Sequence, residues 1–199
     1  MHKRRETSRN KLQHALREAL CEQPLCQLSI EGLSRQAGVT RQTFYANYAG
    51  LQDMLSAYLD DFLANLEEMR RASGCITTGD DVEAKFTAHV ASILRWIDRD
   101  DPRLRTILSG GSGLDLQARF ATLFETLMRL ERGGEDLPPT PLMRTKVYFF
   151  SGALLGVMRF WVFHAEDLDA EDVANSFALL AMRGFSNLPA AFPDEGSSP

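Results

Sequence analysis

An all-α fold of about nine helices is the expectation for this 199-residue chain, and three features carry it. Apolar residues recur at three- and four-residue spacing through long segments, as one buried helix face requires. No run alternates apolar and polar residues in the manner of a half-buried strand. No period of about 20 to 50 residues repeats, so the chain is not a solenoid. Composition agrees with a soluble globular protein, at 44% hydrophobic and 25% charged residues.

The charge is unevenly spread. Residues 1–50 hold eight Lys and Arg (Lys3, Arg4, Arg5, Arg9, Lys11, Arg17, Arg35, Arg41) against four Glu (Glu6, Glu18, Glu22, Glu31). That is +4 within a total of −5, which leaves −9 for the remainder. A net negative chain does not coat nucleic acid in general, but a basic head on an acidic body suits one local contact.

The elements follow in order. Residues 1–6, MHKRRE, form a basic arm, open to two readings: a solvated tail, or electrostatic help on a nucleic-acid backbone. Residues 7–21 form the first helix, with Leu12, Ala15, Leu16, Ala19 and Leu20 as its core stripe. Pro24 marks its end. Residues 29–48 hold two short helices joined by a tight turn. Ile30, Leu33 and Ala37 share a face, Ser29 is the N-cap before them, and Gly38 ends the helix with positive φ. Gly32 inside that helix is expected to cost about 1 kcal/mol against Ala. Val39 points inward, Thr40 is a second N-cap, and residues 41–48 form the second helix with Phe44 in the core.

Residues 50–71 make one long uninterrupted helix carrying Leu51, Leu55, Tyr58, Phe62, Leu66 and Met69. A loop over 72–81 leads to a helix over 81–99 with Val82, Phe86, Val90, Ile93 and Ile97 on one face. Asp101-Pro102 opens a short helix containing Leu104, Ile107 and Leu108. The glycines at 110, 111 and 113 make a flexible break that lacks the Lys-Ser/Thr ending of a phosphate loop. Leu116, Phe120, Leu123, Leu127 and Leu130 define the next helix, and a loop over 133–141 follows.

Residues 142–164 are the most apolar helix, with two apolar faces that both need covering. The run 147–158 is too short for a membrane span, which takes about 20 residues, and Arg159 interrupts it. Gly152 and Gly156 allow another helix to approach closely. A last helix covers 169–187, with Val173, Phe177, Leu180 and Gly184 on one side, before a frayed tail over 188–199.

The paired short helices are a helix-turn-helix, and their chemistry suits a surface that lies on DNA. Arg41, Gln42 and Thr43 stand at the start of the second helix, where such motifs present side chains to base edges. Arg pairs with guanine, Gln with adenine, and a Thr methyl meets the thymine methyl. Ser29, Thr40, Tyr45 and Tyr48 complete the candidate DNA-binding set, the two tyrosines as phosphate donors.

This region resembles the DNA-binding domain of the TetR family of bacterial transcriptional regulators. The resemblance rests on the amphipathic helix around Leu12–Leu20, Glu22 and Pro24, Ala37-Gly38-Val39, Arg41-x-Thr43-Phe44-Tyr45, Tyr48, and Asp53-Met54-Leu55. Where family members commonly carry a phosphate-binding Lys at the start of the fourth helix, this chain has Leu51. Basic residues of the N-terminal arm are the candidates to replace it.

The resemblance implies a DNA-binding domain over residues 1–50 and an effector-binding and dimerisation domain over 51–199. It implies a homodimer through the last two long helices on a palindromic double-stranded operator. It implies a repressor released by a small, mostly apolar effector enclosed by the fourth to eighth helices. Candidate wall residues are Phe86, His89, Trp96, Phe120, Phe124, Phe150 and Trp161, each of which also fits plain core packing. His89 is polar on a mostly apolar helix and is the candidate for one directional hydrogen bond to an effector.

Two other functional classes compete. One is a helical protein-binding adaptor without DNA affinity. The other is a helical enzyme, but no nucleophile–base pair, carboxylate dyad or metal-ligand spacing stands out, and His2, His14, His89 and His164 are scattered. The expectation is therefore no catalysis, no metal and no cofactor. Cys21, Cys26 and Cys75 are odd in number, which fits reduced thiols in a cytoplasm, with a Cys21/Cys26 redox pair as the alternative. The N-terminus is basic without an apolar run behind it, so no signal peptide and no membrane partner is expected.

Overall fold

A computed structural model describes residues 2–74, 81–136 and 140–183, with side chains described over 6–182. Among these residues there are nine α-helices, one 3-10 turn and no strand. The helices are α1 (His2–Glu22), α2 (Ile30–Gln36), α3 (Arg41–Tyr45), α4 (Leu51–Ala72), α5 (Val82–Trp96), α6 (Pro102–Leu108), α7 (Leu116–Glu131), α8 (Pro141–His164) and α9 (Ala170–Arg183). The all-α expectation therefore holds. Cys75, most of the 72–81 loop, part of the 133–141 loop, Gly184 and the 188–199 tail lie outside the described residues.

Two boundaries differ from expectation. The basic arm is not a separate tail, because α1 runs unbroken from His2. Its residues are mostly good helix formers, and charge alone said nothing against a helix. The second motif helix stops at Tyr45, and Ala46 and Asn47 form a turn that brings Tyr48 inward.

One apolar core runs through the molecule along α4. At the near end, Leu12 and Leu16 of α1, Leu33 of α2 and Phe44 of α3 pack with Met54 and Leu55 of α4. Further along, Leu59, Phe62 and Leu66 of α4 join Val90 and Leu94 of α5, Ile107 of α6 and Phe120 of α7. α5 pairs with α9 and α7 with α8, while α6 sits between α1 and α4. Asp101 caps α6 by accepting from the Arg103 N–H at 2.9 Å, and Pro102 takes the first helical position, where no N–H is needed.

The break over 110–113 is a bonded turn. Gly110 and Gly113 take positive φ (89° and 67°), and Gln52 of α4 donates to the Ser112 carbonyl at 3.1 Å. By length and composition alone α8 could cross a membrane, and only 33% of its most apolar stretch is buried. Its circumference is not uniformly apolar, however. Arg159 is fixed to the Leu108 carbonyl at 2.9 Å, and Arg144 and Lys146 stand near its start.

Candidate nucleic-acid interface

The helix-turn-helix is built as its sequence demands. The Ser29 hydroxyl accepts the Gly32 N–H at 3.0 Å and so satisfies one of the orphan donors of α2. A Cβ on Gly32 would stand 3.0 Å from that same hydroxyl. Gly32 thus keeps the cap unhindered, which revises the simple helix-propensity cost expected of it. Gly38 turns the chain at φ 64°, and its neighbour Val39 donates its N–H to the Ser34 carbonyl at 2.9 Å. Thr40 caps α3 by accepting from the Thr43 N–H at 3.1 Å, and the two hydroxyls share a further bond at 2.9 Å.

Phe44 is fully buried and pins α3 to the core. Arg41 and Gln42, one and two residues past the cap, are exposed, and Thr43 is partly exposed. Tyr45 is 53% exposed, with its ring edge-on to Phe44 at 5.5 Å. Ser29, Thr40, Arg41, Gln42, Thr43 and Tyr45 therefore lie on two capped helices, with the side chains of Arg41, Gln42 and Tyr45 open to solvent.

Tyr48 departs from its expected role. It is 3% exposed, and its hydroxyl accepts from Arg9 Nε at 3.4 Å and Gln13 Nε2 at 3.3 Å. The phenol is a core group tying the end of the motif to α1 rather than a phosphate donor. The spacing held the signal, because Tyr48 follows Phe44 by four residues and so shares its inward face. Leu51, the departure from the resembled family's usual Lys, packs against the core.

The sequence reading also missed a polar joint behind the motif. Gln13 Nε2 donates to the Met54 carbonyl at 2.9 Å, and Arg103 NH1 reaches Gln13 Oε1 at 3.4 Å. Arg103 also grips both oxygens of Asp101, at 3.0 and 2.6 Å, and lies 4.3 Å over the Tyr58 ring. Burial raises the Asp101 pKa, but the Arg103 bonds outweigh it and hold the carboxyl below its usual range. Burial raises the Tyr58 pKa, and the adjacent Asp101 raises it further.

The seven candidate effector residues do not converge on one site. Phe86 packs on Phe177 at 5.8 Å between α5 and α9. Trp96 is 41% exposed and lies on Phe62 at 5.1 Å. Phe120 is fully buried. Trp161 is buried and donates its indole N–H to the Leu94 carbonyl at 2.9 Å. His89 is buried with Nδ1 bonded to Ser73 Oγ at 2.8 Å. Burial and the nearby Arg70 guanidinium lower its pKa to about 4, so the ring is neutral at pH 7. Only Phe124 and Phe150 form a half-buried stacked pair, 5.5 Å apart and parallel within 1°.

None of the seven lines either of two surface clefts. One, of about 610 Å³, has a mixed lining, with Asp81, Thr87, Arg95 and Glu171 beside Ala84, Ala88 and Ala91, between α5 and α9. The other, of about 650 Å³, is an apolar groove between α8 and α9 lined by Phe149, Gly156, Phe160, Phe177 and Leu180.

No protein-family model matches the sequence, and no curated protein matches it. Solved structures do match. The dihydroxyacetone kinase operon activator DhaS superposes with a TM-score of 0.57 at 15% identity, over 90% of this chain and 96% of that one. The TetR-family repressor AlkX from Dietzia sp. strain DQ12-45-1b superposes with a TM-score of 0.56 at 17% identity, over 87% of this chain and 92% of that one. This is the TetR-type fold.

Proposed function

We propose that this protein is a TetR-type transcriptional regulator that grips a palindromic duplex as a homodimer and is released by a small, mostly apolar effector. Residues 1–50 act as the DNA-binding domain and residues 51–199 as the effector and dimer domain. The observation that carries the reading is the outer face of α3. Arg41 and Gln42 stand exposed at the start of a capped helix that Phe44 fixes to the core. That is where a helix-turn-helix presents side chains to base edges. Tyr45 supplies a hydroxyl for a phosphate.

The occupant of the α8–α9 groove is a second copy of this chain. Phe149, Phe160 and Leu180 are exposed along that face, at 57%, 40% and 38%. A face of that kind on a soluble regulator needs a self-complementary partner, and two-fold pairing supplies one. It also sets two heads on a symmetric site, with half-sites about 34–36 Å apart. DhaS is described as an activator and AlkX as a repressor, so the fold itself is compatible with either sign. Repression with release is our reading here. The stacked Phe124–Phe150 pair supports a flat apolar effector entering between α7 and α8.

The test is selection from a random duplex pool, followed by gel shifts on the selected duplex and on scrambled DNA over a salt series. The expected outcome is specific, salt-sensitive retention of one palindrome. Gln42→Ala is expected to cost about 1–3 kcal/mol on that palindrome and to relax preference at one base position. Unchanged preference would refute the base-contact role of Gln42, and no binding at low salt would favour a protein-binding adaptor.

A further inference from the structure

We infer that Arg103, in the body, is a positioning residue for the reading head: it holds Gln13, Gln13 holds Tyr48, and Tyr48 holds the end of α3. The inference rests on the DNA reading above and adds to it the device that fixes the head on the body.

Each link is a contact of stated geometry. Arg103 cannot wander, because Asp101 is 5% exposed and takes its guanidinium through both oxygens. Tyr58 lies beneath that guanidinium and donates its hydroxyl to Asp101 at 3.3 Å. The remaining arm donates to Gln13 Oε1. That contact agrees with the Met54 carbonyl on which end of the Gln13 amide is oxygen, since a guanidinium has no acceptor and a carbonyl no donor. The NH2 end must then face the Met54 carbonyl and the Tyr48 hydroxyl, where it is found.

Tyr48 in turn closes the recognition segment. Its N–H bonds to the Phe44 carbonyl at 2.9 Å and its ring lies 6.1 Å from that of Phe44. Without Arg103 the Gln13 oxygen loses its donor, and the amide is held at its NH2 end alone. Its bonds to the Met54 carbonyl and the Tyr48 hydroxyl then hang on one anchor, and the joint of α1 to α4 loosens. The tilt of α3 against α1 loses its lock.

The line continues into the body. Arg105 NH1 donates to the Val162 carbonyl at 3.0 Å and Arg159 Nε to the Leu108 carbonyl at 2.9 Å. α6 is thus held to α8 by two arginines and to α1 by a third. A shift of α8 reaches Tyr48 through side chains rather than through α4 alone.

The test compares wild type, Arg103→Met, Gln13→Met and the double variant in two assays. In the DNA-free protein, amide hydrogen exchange over residues 29–48 is expected to rise about tenfold in each single variant, with α5 and α9 unchanged. The double variant is expected to be no faster than the faster single one, because the two act in series. On duplexes selected by wild type, the singles are expected to lose about tenfold in affinity with base preference unchanged.

Should Arg103→Met not fold, Arg103→Lys decides, because one ammonium cannot serve Asp101 and Gln13 as a fork does. Exchange over 29–48 that stays at the wild-type rate, or additive effects in the double variant, overturns the inference. If wild type selects no duplex, the DNA reading fails while the exchange assay still decides the joint.

Discussion

Two surfaces of this molecule are left incomplete, and in opposite ways. The outer face of α3 offers Arg41, Gln42 and Tyr45, polar groups that water satisfies until a better partner arrives. The outer face of α8 and α9 offers Phe149, Phe160 and Leu180, apolar groups that water does not satisfy. On the proposed function the first surface gains most by meeting ordered phosphates and base edges. The second gains from burial alone, at roughly 25 cal/mol per Å². On the proposed function one surface is a reader, tuned by salt and sequence, and the other a fastener, largely indifferent to both.

The largest effect should come from breaking the fastener. Phe149→Glu together with Phe160→Glu places carboxylates where apolar area must be buried. An unpaired charge in such a place costs roughly 3–5 kcal/mol. Analytical ultracentrifugation is expected to show monomer, and affinity for the palindrome is expected to fall at least 100-fold. Folding should persist, because both side chains are exposed within one chain. A double variant that remained a dimer would move the interface elsewhere and dissolve the contrast between the two surfaces.

What the sequence disclosed divides along the same line. Local signals were legible: the Ser29 and Thr40 caps, the positive φ of Gly38 and the buried Phe44 each depend on neighbours within four residues. The Arg103–Gln13 contact was not legible, because it joins residues 90 apart and each side chain alone looks like an ordinary solvated polar group. The seven candidate effector residues do not share one lining, and the reason is different. Aromatic side chains on several helices fill a core as readily as they ring a cavity, and spacing does not say which. Phe120 and Trp161 are core, whereas Phe149 and Phe160 face outward from α8.

A second test concerns a region that completes itself, against which both open surfaces can be judged. The far end of α4 buries Arg70, which pairs with Glu131 of α7, beside neutral His89. The folded pKa of His89, about 4, lies below its unfolded value of 6.5. Between those values the unfolded chain binds more protons, so stability falls as pH drops from 6.5 toward 4. The loss is about 3 kcal/mol when complete, and it is absent above pH 7. Urea midpoints measured across that window are expected to trace it, and His89→Gln to flatten it. Palindrome affinity at pH 7.5 should be unaffected by the variant. A His89→Gln protein with an undiminished acid slope would assign that slope to other groups.

The smallest effects give the finest separation, because they come from one hydroxyl in two places. Tyr45 is open and Tyr48 is closed, three residues apart. Removing the Tyr45 hydroxyl leaves the fold alone and takes away one phosphate contact. Tyr45→Phe is therefore expected to weaken every duplex alike by about 1 kcal/mol and to leave the urea midpoint unmoved. Removing the Tyr48 hydroxyl takes one acceptor from the Gln13 amide inside the joint and one from the exposed Arg9. Tyr48→Phe is expected to lower unfolding stability by about 1–2 kcal/mol, without altering which bases are preferred. The salt slope separates the two further: it should shrink by about one for Tyr45→Phe only if the hydroxyl orients a counterion-releasing contact, and stay fixed for Tyr48→Phe in either case. If the two variants behaved alike in both assays, the division into an outward reader and an inward brace within this one turn would be wrong.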